Sequence, residues 1–176
     1  MVLRVTHFFG RATGTSANLT IDAGSSFSVP GGVWQNLAQG GEEQTRMLPS
    51  AVEKIEALKP RYIRIDHVFD HYRVVNRDGA GNLIFNWSDL DLTLGDILSM
   101  GAKPFISISY MPPAISRSDI VDLPNSWNEW ETTVQKLVEH VSGKSGLNIG
   151  DVYYEVWNEP DLFGKFKAGG EKNYFD

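Results

Sequence analysis

The chain has 176 residues, with 22 acidic against 16 basic side chains, a formal net charge of −6, 41% hydrophobic content and no cysteine. This is the make-up of a globular domain with one sizeable core, which excludes disorder and collagen-like structure. No apolar run approaches the ~20 residues that span a bilayer, the acidic balance speaks against nucleic acid, and disulfide scaffolds, thiolate zinc sites and cysteine nucleophiles all fall away together.

Met1 to His7 lacks the roughly 7–15-residue apolar stretch of a secretory signal, so the chain is expected to be cytoplasmic if that N-terminus is native. Residues 1–40 are rich in Ser, Thr and Gly and hold short β-prone pieces, Leu19–Asp22 and Val33–Leu37. They read as a β-rich segment leading into the first strand of a larger unit, residues 41–176. Met47, Leu48, Ala51, Val52, Ile55 and Leu58 recur at helical steps, and Lys59-Pro60 ends that helix. A strand follows over 62–66. Extended runs over Tyr72–Val75 and Leu83–Phe85, with the turn Asp78–Asn82 between them, predict a hairpin.

Ser88 with Asp91 predicts a capping box opening a second helix, with Leu94, Ile97 and Leu98 on its apolar side and Gly101 as its stop. A third strand is expected over 103–109. Ser126 with Glu129 predicts another capping box, and Trp127, Trp130, Val134, Leu137, Val138 and Val141 form a stripe read as core; Gly143 and Gly146 close that helix. A fourth strand is expected over Asp151–Trp157, and Glu171–Asp176 reads as the start of a further helix. This alternation predicts an α/β fold with a parallel sheet and right-handed crossovers, whose functional residues sit at the carboxyl ends of the strands. Neither a GxGxxG nor a GxxxxGK[ST] fingerprint follows any strand, nor is there a G-x-S-x-G elbow.

The run Tyr153–Leu162 ends a β-rich stretch abruptly in Asn158-Glu159-Pro160. Alternation puts Tyr153, Glu155, Trp157 and Glu159 on one face if the strand stays regular. A partly buried glutamate there suits a general acid, and the neighbouring amide can bind a substrate hydroxyl. The plainer alternative is a surface turn with a solvated glutamate. The run Asp66–His71 carries two histidines four apart, each preceded by Asp, but no third histidine lies nearby and HExxH is absent, so no metal is expected.

Trp157–Leu162 resembles the fourth-strand motif of the clan A glycoside hydrolases, in which the Glu is the acid/base. Lys103–Ala114 resembles the third strand and following loop of family 39, the β-xylosidase and α-L-iduronidase family. Tyr62–His67 is similar to that family's second strand, where an Arg and a His approach the sugar, although Val68 stands where a Gly usually follows the His. The resemblance runs from about residue 19 onward. It implies the N-terminal half of a (β/α)8 TIM barrel, about four βα units, since a whole barrel takes ~250 residues. It also implies Glu159 as acid/base, Asn158 holding the sugar's 2-hydroxyl, Arg64, His67 and Asp70 shaping the subsite, and Trp34, Tyr110 and Trp157 offering ring faces to sugar C–H surfaces.

No cofactor is implied. Retaining glycosidases need a second carboxylate about 5 Å from the first. In this clan it ends the seventh strand, so the nucleophile is expected beyond this chain, and the chain alone is expected to be inactive. Glu155 reads as a structural glutamate pointing into the barrel. The competing reading is a non-catalytic, carbohydrate-binding or self-associating half-barrel scaffold. A third is a metal-dependent hydrolase built on Asp66, His67 and His71. Carbohydrate is the expected partner. Homo-oligomerisation is also expected, through open sheet edges and an inner face containing Ile65, Ile106, Ile108 and Val156.

Overall fold

A computed structural model describes Asp22, Gly24, residues 32–39, Arg46 and residues 48–160. Most of the expected strand over Leu19–Asp22, and the helix start over Glu171–Asp176, lie outside the described residues. The chain divides into two units between Val33 and Trp34, and the strands and α-helices below belong to the second.

Four strands form one parallel sheet in the order β1 (Asn36–Gln39), β2 (Tyr62–Ile65), β5 (Lys103–Ile108), β6 (Tyr153–Val156). In register, Asn36 pairs with Tyr62, Tyr62 with Lys103, and Phe105 with Tyr153. β1 starts three residues later than the sequence predicts, because Val33–Gln35 winds a 3-10 turn first. Its partner limits the pairing at the same place: the Arg61 N–H donates to the Gln35 carbonyl at 2.7 Å, and Pro60 before it has no N–H to extend the ladder.

Helix α1 is confined to Val52–Glu56 instead of spanning 47–58. Pro49 disfavours helical backbone at Leu48, which is buried in the preceding turn, and Leu58 is exposed. The hairpin forms from β3 (Val75–Arg77) and β4 (Leu83–Phe85), shifted from the expected first arm. Tyr72 and Val74 bury their side chains from a loop, so their β-prone character marks core, not ladder. At the hairpin turn, Asp78 accepts the Ala80 and Asn82 N–H groups.

Neither capping box forms. At α2 (Ser88–Ser99) the N-cap is Trp87, and two places before Ser88 the Asn86 Oδ1 accepts both the N–H and the hydroxyl of Ser88. In α3 (Trp127–Ser142), Ser126 is extended at the N-cap but makes no side-chain bond. Its partner Glu129 is engaged elsewhere: both carboxylate oxygens accept from Arg77 at 2.9 Å. Arg77 also donates to the carbonyls of Gly81 and Ala114, tying the hairpin to α3 and to the loop after β5. α2 buries Leu90, Leu94 and Ile97 but leaves Leu98 exposed, and Gly101 ends it at φ 75. In α3, Leu137 and Val141 are fully buried, whereas Trp127, expected in the core, is 57% exposed. Gly146 is required by close approach, since a Cβ there would lie 2.1 Å from the His140 carbonyl oxygen.

The sheet's two faces are the reverse of the sequence expectation. Ile65, Ile106 and Ile108 do not line an uncovered inner face: they are 0%, 0% and 7% exposed, packed with Leu90, Leu94, Ile97, Leu137 and Val141 of the helices. Only Val156 is uncovered, at 63%. Apolar strand residues turn to the side where the helices present their own apolar stripes. The alternate residues Tyr62, Arg64, Phe105, Tyr153 and Glu155 occupy the other face. A concavity of about 370 Å³ there is lined by Asn36, Ala38, Tyr62, Arg64, Phe105 and Tyr153, among others.

Candidate active site

The strand ends of β2, β5 and β6 bring together the polar residues that the sequence singles out. Arg64 is the hub. Its Nε donates to Glu155 Oε2 at 2.6 Å, one terminal nitrogen to Asp66 Oδ2 at 3.1 Å, and the other to Asn158 Oδ1 at 2.7 Å. Asn158 Nδ2 donates in turn to the Tyr110 hydroxyl at 2.7 Å. Tyr110 is anchored through its backbone, whose N–H donates to Asp70 Oδ1 at 3.1 Å. The second oxygen of Asp70 lies 2.7 Å from His67 Nδ1, and the His67 ring stands edge-on to Tyr110 with centroids 4.6 Å apart.

Backbone conformation aims several of these groups. β6 ends at Val156, and Trp157 takes φ 66 and Glu159 φ 46, so strand alternation does not carry Trp157 and Glu159 onto one face as expected. His67 has φ 54. Left-handed conformations of non-glycine residues cost ~1–3 kcal/mol each and concentrate at functional positions. Here they re-aim the chain immediately after β2 and β6.

Burial sets the charges apart. Burial pushes the Asp66 carboxyl above its ordinary value, and the Arg64 guanidinium only partly offsets this. Asp66 is 6% exposed, and among the described residues its Oδ1 meets no hydrogen-bond partner. Asp70 goes the other way. Burial would raise it too, but the bonds from His67 and the Tyr110 N–H outweigh that and hold its carboxyl below the usual range. Burial lowers the affinity of Arg64 for its proton, but Glu155 and Asp66 more than compensate and the net shift is upward. Burial raises the Tyr110 phenol, with the charges of Asp66, Glu159 and Asp70 adding to it.

Several expectations need correction. Glu159 is exposed, so the partial burial expected of it is not supplied by the described residues. Tyr110 and Trp157 are 3% and 5% exposed and pack edge-on with centroids 5.4 Å apart; they wall the site and offer no open stacking platform. Trp130 backs this wall, in edge contact with Phe69 and Trp157. Trp34 is not brought to the site. It precedes β1, at the opposite end of the parallel sheet from the strand ends that carry Arg64 and Asn158.

Of the residues considered for a metal, Asp66 is bound by Arg64, His67 pairs with Asp70, and the His71 ring stands edge-on to Tyr72. No group of three or more candidate ligands converges among the described residues. Sequence reasoning missed Asp66 as an Arg64 partner. The signal was available, because Arg64 and Asp66 are two apart and so share a strand face.

The model of the family Glycosyl hydrolases family 39 matches residues 31–176. The chain belongs to glycosyl hydrolase family 39. Among curated proteins it is similar to a beta-xylosidase of Caldicellulosiruptor saccharolyticus, 32% identical over 115 residues that make up 60% of this chain and 24% of that protein. It is also similar to a beta-xylosidase of Geobacillus stearothermophilus, 28% identical over 113 residues, 59% of this chain and 22% of that protein. The chain thus spans about a quarter of the length of these relatives.

Among solved structures, the GH39 enzyme from Xanthomonas axonopodis pv. citri superposes with a TM-score of 0.59 at 24% identity, covering 72% of this chain and 27% of that one. A monomeric beta-xylosidase from Caulobacter crescentus CB15 gives the same score and identity, with 73% and 28% covered. These likenesses support the fold, an α/β chain with a parallel sheet of the family 39 kind. No helix among the described residues is long and apolar enough to cross a membrane.

Proposed function

We propose that this family 39 sequence carries the acid/base part of a retaining glycoside hydrolase acting on β-xylosides, built on the first half of a TIM barrel. The observation that carries the reading is the Asn158 amide, held at one end by Arg64 and at the other by Tyr110, immediately before the exposed Glu159. An amide has two N–H donors and two acceptor lone pairs. With one of each engaged, Asn158 keeps a donor and an acceptor for the sugar's 2-hydroxyl.

Glu159 protonates the leaving glycosidic oxygen as the C–O bond breaks, while a nucleophile carboxylate forms the bond to the anomeric carbon. Glu159 then takes a proton from the water that displaces that carboxylate. The other carboxylates at these strand ends do not suit the nucleophile's role. Asp66 and Glu155 are held by Arg64, and Asp70 by His67 and Tyr110. The family resemblance implies a nucleophile at the end of a seventh strand, and the proposal accordingly places it beyond these 176 residues. Relatives named as beta-xylosidases support the substrate class.

Two assays test this. In a protein containing this sequence and the rest of the barrel, Glu159→Ala should depress hydrolysis of alkyl xylosides far more than of activated aryl xylosides, because only the former need a proton on the leaving group. Equal losses on both would remove Glu159 from the role. The 176-residue chain by itself should turn over neither, and turnover abolished by Glu159→Gln would contradict the missing nucleophile.

The same chain is proposed to associate with a second copy along β6. That strand lies at an edge of the described sheet and exposes Tyr153 at 55% and Val156 at 63%. Light scattering should find an assembly that Val156→Lys dissociates; a monomer at micromolar concentration would rule it out.

A further inference from the structure

We infer that Asp70 is a positioning residue that sets the orientation of Asn158 through Tyr110. The inference rests on the glycosidase reading for its purpose but not for its evidence. Asp70 spends each carboxylate oxygen on a different loop: Oδ2 on the His67 ring following β2, Oδ1 on the Tyr110 N–H following β5. Hydrogen bonds to an ionised carboxylate are roughly twice as strong as neutral ones. A single side chain, itself mostly buried, thereby staples the ends of two adjacent strands.

The consequence is felt at Tyr110. Its backbone is held by Asp70, one flank of its ring by the His67 edge, and another by Trp157. The phenolic oxygen thus has little freedom, and it is this oxygen that accepts from Asn158 Nδ2. Arg64 contributes a different constraint. A guanidinium only donates, so it dictates that Oδ1, not Nδ2, faces it. Arg64 decides which end of the amide points where; Asp70, acting through Tyr110, decides where the other end comes to rest. With its two oxygens committed to His67 and Tyr110, Asp70 reaches Asn158 by relay.

The test reads the Asn158 side-chain NH2 resonances of the 15N-labelled chain, assigned by their loss in Asn158→Asp. In Asp70→Asn these resonances should move, together with the Tyr110 amide. The side-chain NH2 pairs of Asn76 and Asn125, which bond the Arg73 and Ser116 carbonyls, should stay in place. Tyr110→Phe should also move the Asn158 pair while leaving the residue 110 amide on Asp70. In that background, Asp70→Asn should shift the Asn158 pair no further. An unmoved Asn158 pair in Asp70→Asn, or an equal shift in both backgrounds, would overturn the relay. If Asp70→Asn does not fold, Asp70→Glu keeps the charge while displacing both oxygens and should give the same pattern. These spectra are recorded without sugar, so their outcome is separate from that of the glycosidase reading, which a methyl β-xyloside titration of the same sample addresses.

Discussion

The two faces of the four-stranded sheet are made from alternate residues of the same strands, yet they differ in kind. On the helix side, Ile63, Ile65 and Ile106 are at most 2% exposed and contact other apolar groups. One residue along, Arg64 joins Asp66, Glu155 and Asn158 in a polar cluster that water reaches in part. The pleat thus separates stability from chemistry by a single residue, and substitutions on neighbouring positions should behave oppositely.

The largest expected effect tests the helix side. Ile106→Ala should cost about 2–5 kcal/mol, the range for deleting a fully buried aliphatic side chain, as measured by urea unfolding. Tyr153→Ala on the other face, where the ring is 55% exposed, should cost under ~1 kcal/mol. Similar losses at both would erase the distinction between the faces.

Next comes Arg64→Met, which removes the shared cation and leaves Asp66 buried beside Glu155. Partial exposure of the cluster brings the loss to about 2 kcal/mol, below that of a fully buried pair. The loss should shrink as the pH is lowered, because protonation of Asp66, whose carboxyl burial already raises, removes the uncompensated buried charge. A pH-independent loss would mean that Arg64 matters for packing alone.

Smaller, and opposite in sign, are the effects of the two aspartates. Asp70 has a depressed carboxyl, so its contribution is full above the unfolded value of ~3.9 and is lost as pH falls through the folded value. Asp70→Asn should therefore destabilise the chain at pH 7, and the gap to wild type should close in acid. Asp66 has a raised carboxyl, so its favourable contribution exists below ~3.9 and is lost as pH rises through the folded value. Asp66→Asn should leave stability at pH 7 unchanged or slightly higher. Equal destabilisation by both, in parallel pH titrations of unfolding, would contradict the opposed shifts.

The parallel order and the polar content of the strand ends were legible because Ile63, Ile65, Ile106 and Ile108 mark strands, and because Arg64 and Asn158-Glu159 terminate them. Which way the isoleucines face was not. Alternation reports that two faces exist, and only the helices' positions decide which is covered. The capping boxes failed for a related reason. Glu129 and Ser88 fit their local motifs, but a distant Arg77 and a neighbouring Asn86 compete for the same atoms. Trp34 was misplaced because a three-residue shift of β1 moves it from the expected strand to the turn before it.

The smallest predicted effect concerns that long-range competitor. Arg77→Ala should lower the urea midpoint only slightly, as the loss of a solvent-screened ion pair does. Combined with Glu129→Ala, the total should fall short of the sum of the single losses. Strict additivity would show that the hairpin is held by its own turn alone.

The turn that follows β6 carries Trp157 at φ 66 and Glu159 at φ 46, conformations in which a side chain is a burden and glycine is at ease. Under the acid/base role proposed for Glu159, thermal robustness and reactivity pull in opposite directions at this position. Glu159→Gly removes the strained Cβ and should leave the melting temperature unchanged or raised, even as it deletes the carboxyl group. In that proposed role, Glu159 accepts a left-handed backbone for the sake of its carboxyl group, and glycine would give up the second to relax the first.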